Sequence, residues 1–295
     1  MKRKQSTDFH PEVLKLFDGY VHGMLSRRDF LDRAAAYTVG GVTSATLLKN
    51  LSPDFAMGQQ VNPDDSRLST SYETFDSPAG YGAIRGYMAK PQQSTDPLPG
   101  IIVIHENRGL NPHIEDIVRR LGLEGYLAFA PDGLSSVGGY PGDEDTARTL
   151  FADLDRSKIL QDFIASVNFL QSHNSCNGNV GCIGFCFGGS ISGLLAVNIP
   201  SLRAAVPFYG TSPSPSDVGN INAPMQFHFA ELDERINSGW PPSRDALDSA
   251  GKVYESYIYN GAQHGFNNDT TPRYDEDSAN LAWERSLAFF DSHLR

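Results

Sequence analysis

Cysteine is scarce in this chain, and its scarcity sets limits. The three residues Cys176, Cys182 and Cys186 are an odd number, which excludes a fully paired disulfide framework, and no spacing here resembles a zinc site. Long apolar runs are missing as well. No stretch reaches the ~18 residues that a membrane span requires, and no internal repeat or low-complexity tract is visible. Basic charge is outnumbered: 24 Lys and Arg face 35 Asp and Glu, a formal charge of −11, which argues against nucleic acid as a partner. The deficit is uneven. Residues 1–60 hold 8 basic and 6 acidic side chains, whereas the remainder holds 16 and 29, so the leader has a task separate from that of the acidic body.

What is present fits one large α/β domain over residues 70–295 behind an extension of about sixty residues. Tyr72–Phe75 and Ala83–Met88 read as a hairpin around the turn 77–82. Ile101–Ile104 is a continuous apolar run of the kind found in buried parallel strands. Further strands are expected at Tyr126–Ala130, Val180–Ile183, Ala204–Tyr209, Met225–Phe229 and Val253–Tyr259. Helical patterns lie over Asn111–Leu123, Asp145–Asn174, Ser243–Ala250 and Asp277–Leu294, and Cys176 falls in a loop. Strands alternating with helices imply a mostly parallel sheet covered on both faces.

The leader admits two readings. Ser26-Arg27-Arg28-Asp29-Phe30-Leu31, followed by the mildly apolar Ala34 to Leu48, resembles a twin-arginine export signal that leads to the bacterial periplasm. Ser26 with Asp29 is equally a helix capping box. On that reading, helices around Pro11–Gly23 and Ser26–Leu48 are structural and the protein stays in the cytoplasm. The apolar face of Ala34–Leu48 then needs cover from the body or from a second copy of the chain.

The chemistry concentrates at Gly184-Phe185-Cys186-Phe187-Gly188-Gly189, directly after an apolar strand and before an apolar helix pattern. A thiol stands there where G-x-S-x-G hydrolases carry serine. Glycines permit the sharp turn, and a helix N-terminus favours the thiolate. Asp233 and His264 follow, each just past a strand. Nucleophile, acid and histidine in that order is the order of an α/β-hydrolase triad, with His264 as base and Asp233 holding its tautomer. His105-Glu106-Asn107-Arg108-Gly109 follows the strand at Ile101–Ile104, where such folds place an oxyanion loop. The expected donors are the backbone N–H groups of Asn107 and Phe187.

Together with Pro131-Asp132-Gly133, Pro207-Phe208-Tyr209-Gly210 and His264-Gly265-Phe266, these motifs over residues 70–295 make the chain resemble the dienelactone hydrolase (carboxymethylenebutenolidase) family. The resemblance implies the α/β-hydrolase fold and the triad Cys186, Asp233 and His264. It also implies that Glu106 contacts the resting thiol and takes its proton when substrate binds. One departure is that Asn268 stands where the family carries an arginine for the substrate carboxylate, which leaves Arg108 or Arg273 to supply that charge. His105, His113 and His228 share no ligand spacing and read as structural. The expected activity is hydrolysis of a lactone or small ester through a thioester acyl-enzyme, with no metal or organic cofactor. The alternatives are a promiscuous carboxylesterase or acyl-peptidase, and a non-catalytic thiol that senses oxidants.

Overall fold

The computed structural model describes residues 4–38 and 40–295. The strands are β1 (Leu68–Ser77), β2 (Gly82–Pro91), β3 (Leu98–Ile104), β4 (Leu127–Pro131), β5 (Cys176–Phe185), β6 (Ala204–Phe208), β7 (Met225–Ala230) and β8 (Tyr254–Tyr259). They form one sheet in the order β1-β2-β4-β3-β5-β6-β7-β8. The β1–β2 hairpin joins β4 antiparallel, and the strands from β4 to β8 pair in parallel. This is the mostly parallel sheet that the sequence pattern predicted.

Alternation along the strands divides the core in two. Ile102, Ile104, Cys182, Phe227 and Phe229 point to one face, while Ile101, Val103, Ile183, Ala204 and Val206 point to the other. The leader holds α1 (Pro11–Val21), α2 (Arg27–Ala34), α3 (Ser44–Leu51) and α4 (Phe55–Gly58), and the body follows with α5 (Pro112–Leu123), α6 (Glu144–Ala152), α7 (Arg156–Gln171) and α8 (Phe187–Asn198). The chain ends with α9 (Glu234–Asn237), α10 (Trp240–Ser249) and α11 (Glu276–Leu294). The first face is covered by α6, α7, α8 and α10, and the second by α5 and α11.

Three local expectations change. The helix expected over 145–174 is two helices, because Asp155 caps α7 by accepting the N–H groups of Ser157 and Lys158. Cys176 opens β5 rather than lying in a loop. The expected helix over Ser26–Leu48 breaks after Tyr37 around Gly40 and Gly41, both at positive φ, and restarts behind the cap Thr43; Val39 lies outside the described residues.

The extension carries its own small core. Phe9, Val13, Leu14, Phe17 and Tyr20 pack with Phe30, Ala34, Leu48 and Leu51. The apolar face expected to need outside cover is therefore covered within the chain. The far end of the extension is held to the body by charge. Buried Asp116 accepts the N–H groups of Gln60 and Val61 and pairs with Arg119 and Arg120. Arg120 and Gln60 also reach Asp269, which pairs with His113. Phe30 is fully buried, so Phe30→Ala should cost this subcore about 3–5 kcal/mol. Hydrogen exchange should then quicken across residues 11–51 and stay unchanged in β3, β5 and β6. Equal protection of both regions in the variant would show that the extension has no separate core.

Candidate active site

The turn after β5 is built by close contact. Cys186 sits at φ 56°, a left-handed value that is rare for a side chain with a Cβ. Its N–H donates to Phe208 O at 3.1 Å, which ties the turn to the end of β6. A Cβ on Gly188 would lie 2.2 Å from Ile104 O, and one on Gly189 would lie 2.4 Å from Phe208 O. Only glycine lets α8 approach the sheet this closely. Cys186 is the N-cap of α8 and Phe187 its first residue, so the N–H of Phe187 belongs to the turn that has no partners inside the helix.

Asp233 and His264 come from the loops after β7 and β8. His264 Nδ1 lies 2.5 Å from Asp233 Oδ2, both residues being buried. That contact leaves His264 Nε2 buried without a hydrogen-bond partner among the described residues. Glu106 and Asn107 follow β3. Asn268 Nδ2 donates to Glu106 Oε2 at 3.0 Å, whereas the thiol has a different partner, His22 Nε2, at 3.5 Å. Two of the histidines read as structural have hydrogen-bond partners away from the thiol. His105 Nε2 accepts from Gly133 N, and His228 lies between Gln226 and Tyr259.

Burial would push the Cys186 thiol up. The charge of His264 and the hydrogen bond to His22 outweigh it and bring the thiol down to about 6. Burial would likewise lower His264, but the thiolate charge and Asp233 raise it. The other thiols go the opposite way. Burial pushes Cys182 up to about 12 and raises Cys176 as well. Glu106, Arg108, Cys186, His264, Asn268 and Arg273 all line one cavity, whose space out to and including open solvent is about 560 Å³. The leader closes its other side with Phe17, Tyr20, Val21, Ser52 and Pro53.

The sequence reading missed this second wall and His22 within it. Its one local signal is Asp18, four residues earlier on α1 and therefore on the same helix face. Tyr209 also went unremarked outside its motif. It sits at φ 36° with its ring 5.0 Å from that of His264, and its buried hydroxyl has no partner among the described residues. Cys186 Sγ and ring nitrogens of His22 and His264 all lie within 4.8 Å of one another.

Residues 84–294, which carry the whole turn and both downstream loops, match the model of the dienelactone hydrolase family. The chain belongs to the dienelactone hydrolase family. Residues 1–38 match a separate model described as YqhI-like. An Escherichia coli O157:H7 protein, provisionally named a carboxymethylenebutenolidase, is 37% identical over 222 residues, covering 70% of this chain and 82% of its own. The crystal structure of a protein from Klebsiella pneumoniae, provisionally named a dienelactone hydrolase, aligns with a TM-score of 0.68 at 31% identity. It covers 76% of this chain and 100% of its own. The dienelactone hydrolase-like promiscuous phosphotriesterase P91, from metagenomic libraries, shares the fold at 21% identity and a TM-score of 0.68, over 78% of this chain and 100% of its own.

The contact between α8 and the sheet predicts the effect of one methyl group. Gly188→Ala should destabilise the protein by about 1–3 kcal/mol or more and displace the turn. A lower melting temperature with loss of Cys186 alkylation is the expected result. A wild-type melting curve would show that the close approach is not required.

Proposed function

We propose that this member of the family hydrolyses a lactone or small carboxylic ester through a thioester on Cys186. The observation that carries the reading is the contact of 2.5 Å between Asp233 and His264, beside a thiol held down to about 6. In this reading Sγ attacks the ester carbonyl and the electron pair moves onto oxygen, where the N–H groups of Phe187 and Asn107 receive it. His264 gives its Nε2 proton to the departing oxygen. It then takes a proton from water, whose oxygen attacks the thioester and releases the thiolate. Asp233 holds the imidazole in the tautomer that directs Nε2 at the reacting atoms. Glu106, oriented by Asn268, accepts a proton from any thiol still protonated when substrate enters.

Two buried guanidiniums support an anionic substrate. Arg108 and Arg273 both line the cavity, the first 3.5 Å from Glu144 and the second 3.3 Å from Asp18, and the Nε–H of each lacks a hydrogen bond among the described residues. Arg273 lies five residues beyond Asn268, and with its Nη1 on Asp18 at 3.3 Å it offers the cavity its Nε–H. A small lactone or ester bearing a carboxylate is the substrate class that these groups favour. A thiol that served only as an oxidation target would need neither the Asp233–His264 pair nor the oxyanion donors.

A thiol near 6 is about 90% thiolate at pH 7, against ~1% for one near 9. Iodoacetamide at pH 7 should therefore label Cys186 ahead of Cys176 and Cys182 and abolish hydrolysis of p-nitrophenyl acetate. Hydrolysis that survives complete labelling of Cys186 would rule out this nucleophile. His264→Ala should lower kcat by about three orders of magnitude or more. Glu106→Gln should lower kcat while the melting temperature holds, and unchanged turnover would reduce Glu106 to a structural carboxylate.

A further inference from the structure

The leader does more than wall the cavity. The turn after α1 delivers His22 to the sulfur, with Nε2 at 3.5 Å from Cys186 Sγ. Its ring stands edge-on to His264, with centroids 4.7 Å apart and planes at 80°. His22 Nδ1 donates to Asp18 O at 2.8 Å and lies 3.3 Å from Asp18 Oδ1. The other nitrogen is thus fixed towards the thiol, just as Asp233 fixes His264. Asp18 is in turn held by Arg273 at 3.3 Å. Asn107 Nδ2 donates to Val21 O at 3.0 Å, so the expected oxyanion loop grips the end of the helix that carries His22.

We propose that His22 is a second catalytic histidine of this site, paired with Asp18 and serving as the charge partner of the Cys186 thiolate. The proposal rests on Cys186 being the nucleophile. His22 keeps its proton throughout the cycle. The Nε2–H of His22 stabilises the thiolate before attack and again when sulfur leaves the thioester. His264 is then left to carry the single proton that passes to the departing oxygen and returns from water, so the balance of the reaction is unchanged.

The charges around His22 favour this assignment. Asp18 on its own helix and the thiolate across the cavity both attract an imidazolium, and the C-terminal end of α1 adds its partial negative charge. Two groups oppose it: the neighbouring His264, and Arg235, whose Nη2 lies 3.0 Å from His22 Nε2; a guanidinium only donates, so Arg235 competes for the Nε2 lone pair and must turn away when Nε2 carries its proton towards sulfur. The Arg235 side chain is 38% exposed, so water screens it more than it screens the buried sulfur. Burial works against protonated His22 too, yet the hydrogen bond to Asp18 and the thiol hold it up to about 10. One consequence concerns the leader. Removal near residue 57 would take away His22, Asp18 and the whole wall from Phe17 to Pro53.

The test uses full-length His22→Gln and Asp18→Asn beside wild type. Alkylation of Cys186 by iodoacetamide is followed from pH 5 to 9 by mass spectrometry, with hydrolysis of p-nitrophenyl acetate measured in parallel. The wild-type alkylation profile should rise near pH 6. In His22→Gln it should move up by at least one unit, so that alkylation at pH 6 slows about tenfold. The expected drop in kcat is about 10- to 100-fold, with KM changed less than about threefold. Asp18→Asn should shift both readings the same way by less. It leaves the ring in place and so serves if His22→Gln fails to fold, as circular dichroism will show. A wild-type alkylation profile in a folded variant overturns the role of His22. Failure of the nucleophile itself would look different: Cys186 fully alkylated and hydrolysis intact.

Discussion

The site depends on how closely α8 lies against the sheet. The backbone of Gly188 rests on Ile104 O and that of Gly189 on Phe208 O, with no room for a Cβ at either. This contact forces the left-handed turn at Cys186 and lifts its thiol clear of the strands. It also brings the ends of β3, β5 and β6 into one register. The loop with Glu106 and Asn107, the turn with Cys186 and the strand end before Tyr209 meet as a result. The strain at Cys186 is local, and the packing on both faces of the sheet holds it.

Electrostatics does the rest. A buried thiol surrounded by apolar groups titrates high, as Cys182 does at about 12. Cys186 is buried as well, at the wall of the cavity, and is brought to about 6 by the imidazoles beside it. The difference between the two cysteines is a matter of neighbours, and those neighbours come from opposite ends of the chain. His264 arrives after β8, His22 after the first long helix. The extension that supplies His22 stands on its own small core and is tied to the body by buried carboxylates at Asp116 and Asp269. Such ties are directional, so they fix the far end of the extension more narrowly than apolar contact alone, while Asn107 and Arg273 hold α1 through Val21 and Asp18.

Much of this was legible in the residues. The apolar run Ile101–Ile104 and the glycines around Cys186 follow local rules of strand burial and steric room; chain order extended that reading to Asp233 and His264, and family resemblance to the role of Glu106. Element boundaries were less secure where a single polar side chain decides them, as Asp155 does in splitting one expected helix into α6 and α7. The leader was ambiguous because its capping box at Ser26 and Asp29 serves an export motif and a structural helix equally well.

The sequence by itself determined the sheet, the order of the chemical groups along it and the family, because strand periodicity and glycine-bounded turns are properties of neighbouring residues. Only the tertiary structure decided that the leader faces the thiol, that Asn268 turns to Glu106, and that Arg273 enters the cavity beside it. Asp18 and His22 mark one face of one helix. The sulfur that His22 meets is 164 residues away, and no local pattern encodes a contact at that distance.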